Sequence, residues 1–96
     1  GKLYGTNAND DIFYKKNTNA NEGWKQIEGK MKQVDMEGNV VCGVNSSNHI
    51  YCKDNLEDSN WNPVPGGLSY ISVNDDTNVY GVNGHQHIWY GYLNDK

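Results

Sequence analysis

Apolar and polar positions alternate in short runs along this chain, and the runs return on a fixed period. The clearest is Val41-Cys42-Gly43-Val44-Asn45-Ser46-Ser47-Asn48-His49-Ile50-Tyr51-Cys52, two alternating stretches around a polar turn, which predicts a β-hairpin. Residues 3–14 and 79–90 repeat it at intervals of 38 residues. Gly5/Gly43/Gly81, Asn7/Asn45/Asn83 and Ile12/Ile50/Ile88 hold equivalent places in the copies. A three-residue turn at Ser46-Ser47-Asn48 sets the rungs, with Val44 opposite Ile50, Gly43 opposite Tyr51 and Cys42 opposite Cys52. In the other copies the same register sets Thr6 opposite Ile12, Gly5 opposite Phe13, Val82 opposite Ile88 and Gly81 opposite Trp89. One face of each hairpin is then apolar. On the other, an aromatic ring covers the bare backbone of a strand glycine.

Between the hairpins, Trp24-Lys25-Gln26-Ile27-Glu28-Gly29 and Met31-Lys32-Gln33-Val34-Asp35-Met36 alternate as strands, and 61–67 and 68–73 match them. Pro63 and Pro65 suit an edge strand, since neither donates to a ladder. Residues 15–23 and 54–60 read as polar loops, and 37–39 and 74–78 as turns. No stretch sustains helical periodicity, although 25–32 mimics it weakly. Each unit thus holds an inner strand (31–36, 68–73), a hairpin supplying the second and third strands, and an outer strand led by Trp. A four-stranded unit repeated near 40 residues is the pattern of a propeller blade. The expected fold is all-β, a single domain over 1–96, with repeats at about 3–40 and 41–78 and a partial one at 79–96.

Cys42 and Cys52 stand where the other copies place Tyr4/Tyr14 and Tyr80/Tyr90. Both members of the rung change type together, as directly opposed residues would, so a Cys42–Cys52 disulfide is expected, with two free thiols as the alternative. The spacing lacks the paired Cys or Cys/His pattern of a zinc site. A paired cysteine implies an oxidising compartment and hence a secreted or cell-surface protein. With 35% apolar residues and one Phe in 96, the chain buries a modest core that a disulfide or self-association would support. The net charge of −4 disfavours nucleic acid. Lys15, Lys16, Lys25, Lys30 and Lys32 read as a solvated face, with an anionic surface as the alternative partner. No run is long enough for membrane insertion, and no signal-peptide pattern is present. The chain begins with Gly1 rather than Met, as a processed or excised segment would.

Trp24/Trp61 followed by Ile27/Val64 and a Gly-containing turn, then Leu68-Ser69-Tyr70-Ile71-Ser72-Val73, Val79-Tyr80-Gly81-Val82-Asn83 and Ile88-Trp89-Tyr90, resembles the tectonin-repeat β-propeller lectin family over nearly the whole chain. Trp61-Asn62-Pro63-Val64-Pro65-Gly66-Gly67-Leu68 is the most specific block. The first copy departs from it, with Glu28 in the place of Pro65 and Lys30 in the place of Gly67. The resemblance implies a non-catalytic propeller without cofactors that binds glycans or bacterial lipopolysaccharide. About two and a half repeats do not close a ring, so self-association as a homo-oligomer is expected, with a compact two-sheet β-sandwich as the alternative. Pairing the partial repeats would duplicate a hairpin. Three chains using two blades each would give six blades with spare hairpins.

Sugar recognition needs aromatic faces and planar polar groups on loops held by a rigid scaffold. The hairpin tips offer Asn9, Asp10 and Asp11; Ser47, Asn48 and His49; and His85, Gln86 and His87. Tyr70 and Tyr92 break the repeat and are candidates for exposed aromatics, Tyr70 for the ligand site. Trp24 and Trp61 recur at equivalent places, which favours packing between blades over stacking on a sugar; Trp89, opposite Gly81, reads as structural. Asn45-Ser46-Ser47 is a glycosylation sequon, but an Asn present in every copy favours capping of the turn backbone. His85 and His87 lack a third metal ligand. The acids of 7–11 and 75–76 lack the spacing of a calcium loop, so no metal is expected. No activated nucleophile is visible, and carboxylates paired for glycoside hydrolysis are a matter of spatial separation. A protein-interaction module is the second functional reading and a glycosidase the third.

Overall fold

The computed structural model describes residues 2–18, 23–57, 60–74, 78–83 and 88–92. Ten strands are present among them: β1 (Leu3–Thr6), β2 (Asp11–Lys15), β3 (Lys25–Lys30), β4 (Gln33–Glu37), β5 (Val40–Val44), β6 (His49–Lys53), β7 (Asn62–Gly67), β8 (Tyr70–Val73), β9 (Asn78–Val82) and β10 (Ile88–Tyr92). They form three antiparallel sheets, in the orders β1-β2-β3, β4-β5-β6-β7 and β8-β9-β10. The middle sheet is a complete four-stranded unit. The first begins at the second strand, and among the described residues the third stops after its third strand. Three sheets stacked in sequence are a row of blades, not the two facing layers of a sandwich.

The hairpin register follows the repeat. Thr6 pairs with Ile12 and Gly5 with Phe13; Val44 pairs with Ile50, Gly43 with Tyr51 and Cys42 with Cys52; Val82 pairs with Ile88 and Gly81 with Trp89. β7 is an edge strand, where Pro63 and Pro65 leave no sheet partner without a donor. Outer strands carry a repeated irregularity. The β2–β3 register shifts between Asp11 and Ile12 and the β6–β7 register between His49 and Ile50. Opposite these shifts lie Gly29 and Gly66, at φ 116° and 112°, values that only glycine adopts without strain. The first copy therefore keeps the bulge despite Glu28 and Lys30, because it keeps the glycine.

Inner strands start later than the alternation implies, at Gln33 and Tyr70. Met31 and Leu68 are buried pivots just before them. The Met31 N–H donates to the Asp10 carbonyl at 2.9 Å, and the Leu68 N–H to the Asn48 carbonyl at 3.0 Å. Each pivot is thereby tied to a hairpin tip rather than to the sheet ladder.

Period-two alternation gives every sheet two faces. In the middle sheet, Val41, Gly43 and Tyr51 turn towards the first sheet, while Val40, Cys42, Val44, Ile50 and Cys52 turn towards the third. Two apolar seams result. The first gathers Ile12, Tyr14, Ile27, Met31, Val41 and Leu56, with Tyr4, Val34, Met36, Tyr51 and Trp61 packed around them. The second gathers Val40, Cys42, Val44, Ile50, Cys52, Leu68, Ile71 and Val73. Cys42 and Cys52 form a disulfide across directly opposed positions, with Cα atoms 4.1 Å apart.

One packing expectation changes. A Cβ on Gly43 would lie 2.9 Å from Val34 Cγ1, 3.1 Å from the Gln33 carbonyl oxygen and 3.1 Å from Met31 Cγ. The inner strand and its pivot, rather than the cross-strand ring of Tyr51, take up the space over this glycine. Gly81 is crowded in the same way by Leu68 and the Tyr70 carbonyl. Nothing lies within 4 Å of the equivalent position on Gly5, where no inner strand stands beside β1 among the described residues.

Candidate functional site

The hairpin tips are built by one repeated device. Asn7 and Asn45 use their side-chain oxygens to hold the turn. Asn7 Oδ1 accepts from the N–H groups of Asn9 and Asp11, both at 2.9 Å. Asn45 Oδ1 accepts from those of Ser47 at 3.0 Å and His49 at 2.9 Å. Backbone bonds Asp10 N–H to Asn7 O and Asn48 N–H to Asn45 O close the turns. Each ends in a left-handed residue, Asp10 at φ 65° and Asn48 at φ 66°. Asp and Asn tolerate that region because their short polar side chains bond locally. The repeated Asn is a turn cap, as its recurrence indicates.

This frame divides the candidate residues. Asp10 and Asn48 set the turn, and their carbonyls anchor the next inner strand. Asp11 pairs with Lys30. The Lys30 hydrogen bond, and after it that of Asn7, holds the Asp11 carboxyl below the usual carboxylate range. Asn48 Oδ1 accepts from Lys32 Nζ. Asn9, Ser47 and His49 leave their side chains exposed at the two tips. Tyr70 is exposed at the start of β8, paired with Val82 at the tip end of the third hairpin. His85, Gln86 and His87 lie outside the described residues, as do Asp75 and Asp76.

The tips, the outer-strand ends and the inner-strand starts therefore share one rim of the molecule. Lys30 and Lys32 stand on that rim between the first two tips. Lys30 Nζ also reaches the Asn9 carbonyl at 3.4 Å, and Thr6 Oγ1 donates to the Lys32 carbonyl at 3.4 Å. Neither lysine was among the expected site residues. The signal was present in the repeat, since their counterparts are Gly67 and Ser69. A departure from the unit at a tip-proximal position marks local chemistry as well as a weakened turn.

The rim is shallow and polar, with amide, hydroxyl, imidazole, carboxylate and ammonium groups on a rigid frame. Such groups form hydrogen bonds to hydroxyl-rich ligands. Among the described residues no cluster of three or more His, Cys, Asp or Glu side chains has the geometry to hold a metal ion. No helix of the described residues is long and apolar enough to cross a membrane.

Trp61 packs against the first sheet rather than facing the rim. Its Nε1–H donates to the Glu28 carbonyl at 3.1 Å, and its ring meets Tyr4 edge-on, centroids 6.4 Å apart. The buried Lys53 places Nζ 4.7 Å from the Trp61 ring centre and 5.4 Å from that of Tyr4. Trp61 thus serves a seam between repeats, as expected of the recurring indole, whereas Trp24 at the equivalent place is 51% exposed and does not.

The tectonin domain model matches residues 1–96 of this chain. The chain belongs to the tectonin family. Tectonin-1 of Physarum polycephalum is 38% identical over 68 residues, covering 69% of this chain and 30% of its own length. Fish-egg lectin of Cyprinus carpio is 31% identical over 93 residues, covering 84% of this chain and 39% of its own length. The chain thus spans about a third of each relative's length. Tectonin repeats are of the β-propeller type, which agrees with the row of antiparallel blades.

Proposed function

We propose that this tectonin domain is a non-catalytic carbohydrate-binding module that recognises cell-surface glycan or bacterial lipopolysaccharide through shallow sites at its hairpin tips. The observation that carries this reading is the tip frame itself. Two successive tips share backbone, capping Asn and left-handed residue, yet present different side chains: Asn9 against Ser47, and Asp11 against His49. A conserved frame with interchangeable polar groups is a means of presenting chemistry, and similarity to a protein named fish-egg lectin supports sugar as what it meets. The third tip, with His85, Gln86 and His87, adds a further set in the sequence. Weak individual sites on repeated units gain strength through multivalency. The disulfide between Cys42 and Cys52 fits a secreted or cell-surface setting.

Glycan-array and lipopolysaccharide binding, with the disulfide intact, test the proposal. Binding should fall when Ser47 and His49 are replaced together by Ala and stay unchanged when exposed Lys16, away from the tips, is replaced. Blank results on both supports from folded protein would remove the lectin reading.

A further inference from the structure

The sequon Asn45-Ser46-Ser47 is a motif that the proposed function leaves unused. Of the asparagines in the chain, only Asn45 has Ser or Thr two positions on. Its repeat counterparts, Asn7 and Asn83, are followed at that distance by Asn9 and His85. Such a motif marks an acceptor of N-linked glycan where it lies on a surface turn of a secreted protein. Recurrence of the Asn assigns it to turn capping, but capping uses only half of its side chain.

Two backbone N–H groups, those of Ser47 and His49, converge on one side-chain atom of Asn45 at 3.0 and 2.9 Å. An atom that accepts twice is the carbonyl oxygen, so the hydrogen bonds themselves distinguish Oδ1 from Nδ2. Oδ1 does the capping. Nδ2 bonds to no group among the described residues. Asn45 is half-buried, yet no buried side-chain nitrogen or oxygen among the described residues lacks a hydrogen bond, so this Nδ2 is open to solvent. Ser46 and Ser47 beside it are exposed.

The first tip supplies the contrast. Asn7 caps its turn in the same way, but its Nδ2 donates to Asp11 Oδ2 at 3.4 Å. The middle tip has His49 in the place of Asp11, and that tie is not made there. Of these two tips, the one that carries the sequon is the one that leaves its amide nitrogen free.

We propose that Asn45 is an N-glycosylation site, with Oδ1 capping the turn and Nδ2 carrying the glycan at the same time. In the transfer, Nδ2 attacks C1 of a lipid-diphosphate-linked oligosaccharide. The C1–O bond breaks, the Nδ2–C1 bond forms, the lipid diphosphate leaves and the amide gives up one proton. The product is still an amide, with one N–H and both lone pairs on Oδ1, so both cap bonds survive. Rooted on an exposed turn, the oligosaccharide stays in water and the two apolar seams keep their packing. The inference shares with the proposed function only its secretory setting, and it needs no ligand at the tips.

Expression of the chain behind a secretory leader in a eukaryotic host tests this. After reduction, tryptic peptide 33–53 from both cell extract and medium should carry one oligosaccharide. Peptide N-glycosidase should remove it and leave Asp at position 45. Ser47→Ala keeps the backbone N–H of the cap and should abolish the modification, whereas Ser47→Thr should retain it. Amide exchange at residues 47 and 49, followed by NMR, should be equally slow in the glycosylated chain and in the chain made without glycan. An unmodified Asn45 in both fractions, or a glycan that persists in Ser47→Ala, would overturn the site. Faster exchange at residues 47 and 49 in the glycosylated chain would overturn the coexistence of glycan and cap. Ligand binding enters none of these readouts, so their failure leaves the lectin reading in place, and blank glycan arrays leave the glycosylation site in place.

Discussion

The two seams of this molecule share a backbone and differ in filling. Between the first and second sheets the seam is aromatic: Tyr4 and Tyr14 lie 5.3 Å apart, Trp61 meets Tyr4 edge-on, and Lys53 stacks on both Tyr4 and Trp61. Between the second and third it is aliphatic, with the Cys42–Cys52 disulfide of the middle sheet packed among Leu68, Ile71 and Val73. Inner strands there are also sewn together by side chains, since Gln33 bonds Ile71 and Asp35 Oδ2 accepts from the Val73 N–H at 2.8 Å. The comparison teaches that the rung is the unit of exchange. Tyr4/Tyr14 and Cys42/Cys52 occupy the same pair of positions. The long pair reaches out to a Trp of the next unit, whereas the short pair lets the next inner strand pack directly against it.

Glycine sites separate the seams most sharply. Gly81→Val would overlap Leu68 Cδ1 and stand its Cβ 2.8 Å from the Tyr70 carbonyl oxygen, so unfolding free energy should fall by about 3 kcal/mol or more. Gly5→Val enters open space and should change stability in dilute solution by no more than about 0.5 kcal/mol. Equal losses in urea titrations of the two variants would erase the distinction between covered and uncovered hairpins.

Reduction of Cys42–Cys52 follows. The disulfide closes a short loop, and the chain-entropy model assigns it about 2.5 kcal/mol. Urea unfolding with and without reductant should show that loss, while Trp fluorescence of the reduced native state keeps the signature of a packed Trp61. A collapse of that signature on reduction would mean that the seams are not separable.

Trp61→Ala removes an inter-sheet hydrogen bond, an edge contact and a cation–π partner of Lys53, for an expected loss of about 2 kcal/mol. Trp24→Ala, at an exposed position, should lose about 0.5 kcal/mol or less at concentrations where the chain is monomeric. Comparable midpoint shifts for both would contradict the assignment of Trp24 to an outer face.

Smaller effects belong to the polar ties. Gln33→Ala leaves the Ile71 N–H and carbonyl without their side-chain partner and should lose about 1 kcal/mol, with faster amide exchange at Ile71 as the local readout. At the exposed tip, the Asp11 carboxyl is held below the usual carboxylate range by Lys30 and then by Asn7. The folded value lies under the unfolded one of about 4. Its small stabilisation is therefore present above that value and lost as pH falls through the folded one. Carboxyl NMR titration should show this depression shrink in Lys30→Ala, with the hydrogen bond from Asn7 as the cause that remains.

Much of this architecture was legible because repetition acts as an internal alignment. Gly5, Gly43 and Gly81 define the rungs, Asn7 and Asn45 the caps, and the paired change from Tyr to Cys the disulfide. The turn device was readable since Asn-to-backbone bonding is local and depends on residues two and four positions away. What covers Gly43 was not readable, because Val34 and Met31 reach it through a neighbouring strand. The roles of Lys30 and Lys32 were obscured for a similar reason: each bonds to a tip brought near by sheet packing, and in sequence both look like members of a solvated lysine group. Inner-strand starts were placed too early because Met31 and Leu68 fit the alternation, although tips claim their N–H groups first.

By itself the sequence determined the repeating unit, the hairpin register, the cross-strand cysteine pair and membership of an all-β repeat class. Those features rest on period-two alternation and short-range turn chemistry, which are properties of neighbouring residues. Tertiary structure alone decided which face of each sheet is covered, which Trp is packed and which exposed, and which glycine is crowded. Those outcomes depend on which neighbouring strand or sheet packs at the required side, and similar local sequences meet different surroundings in different sheets.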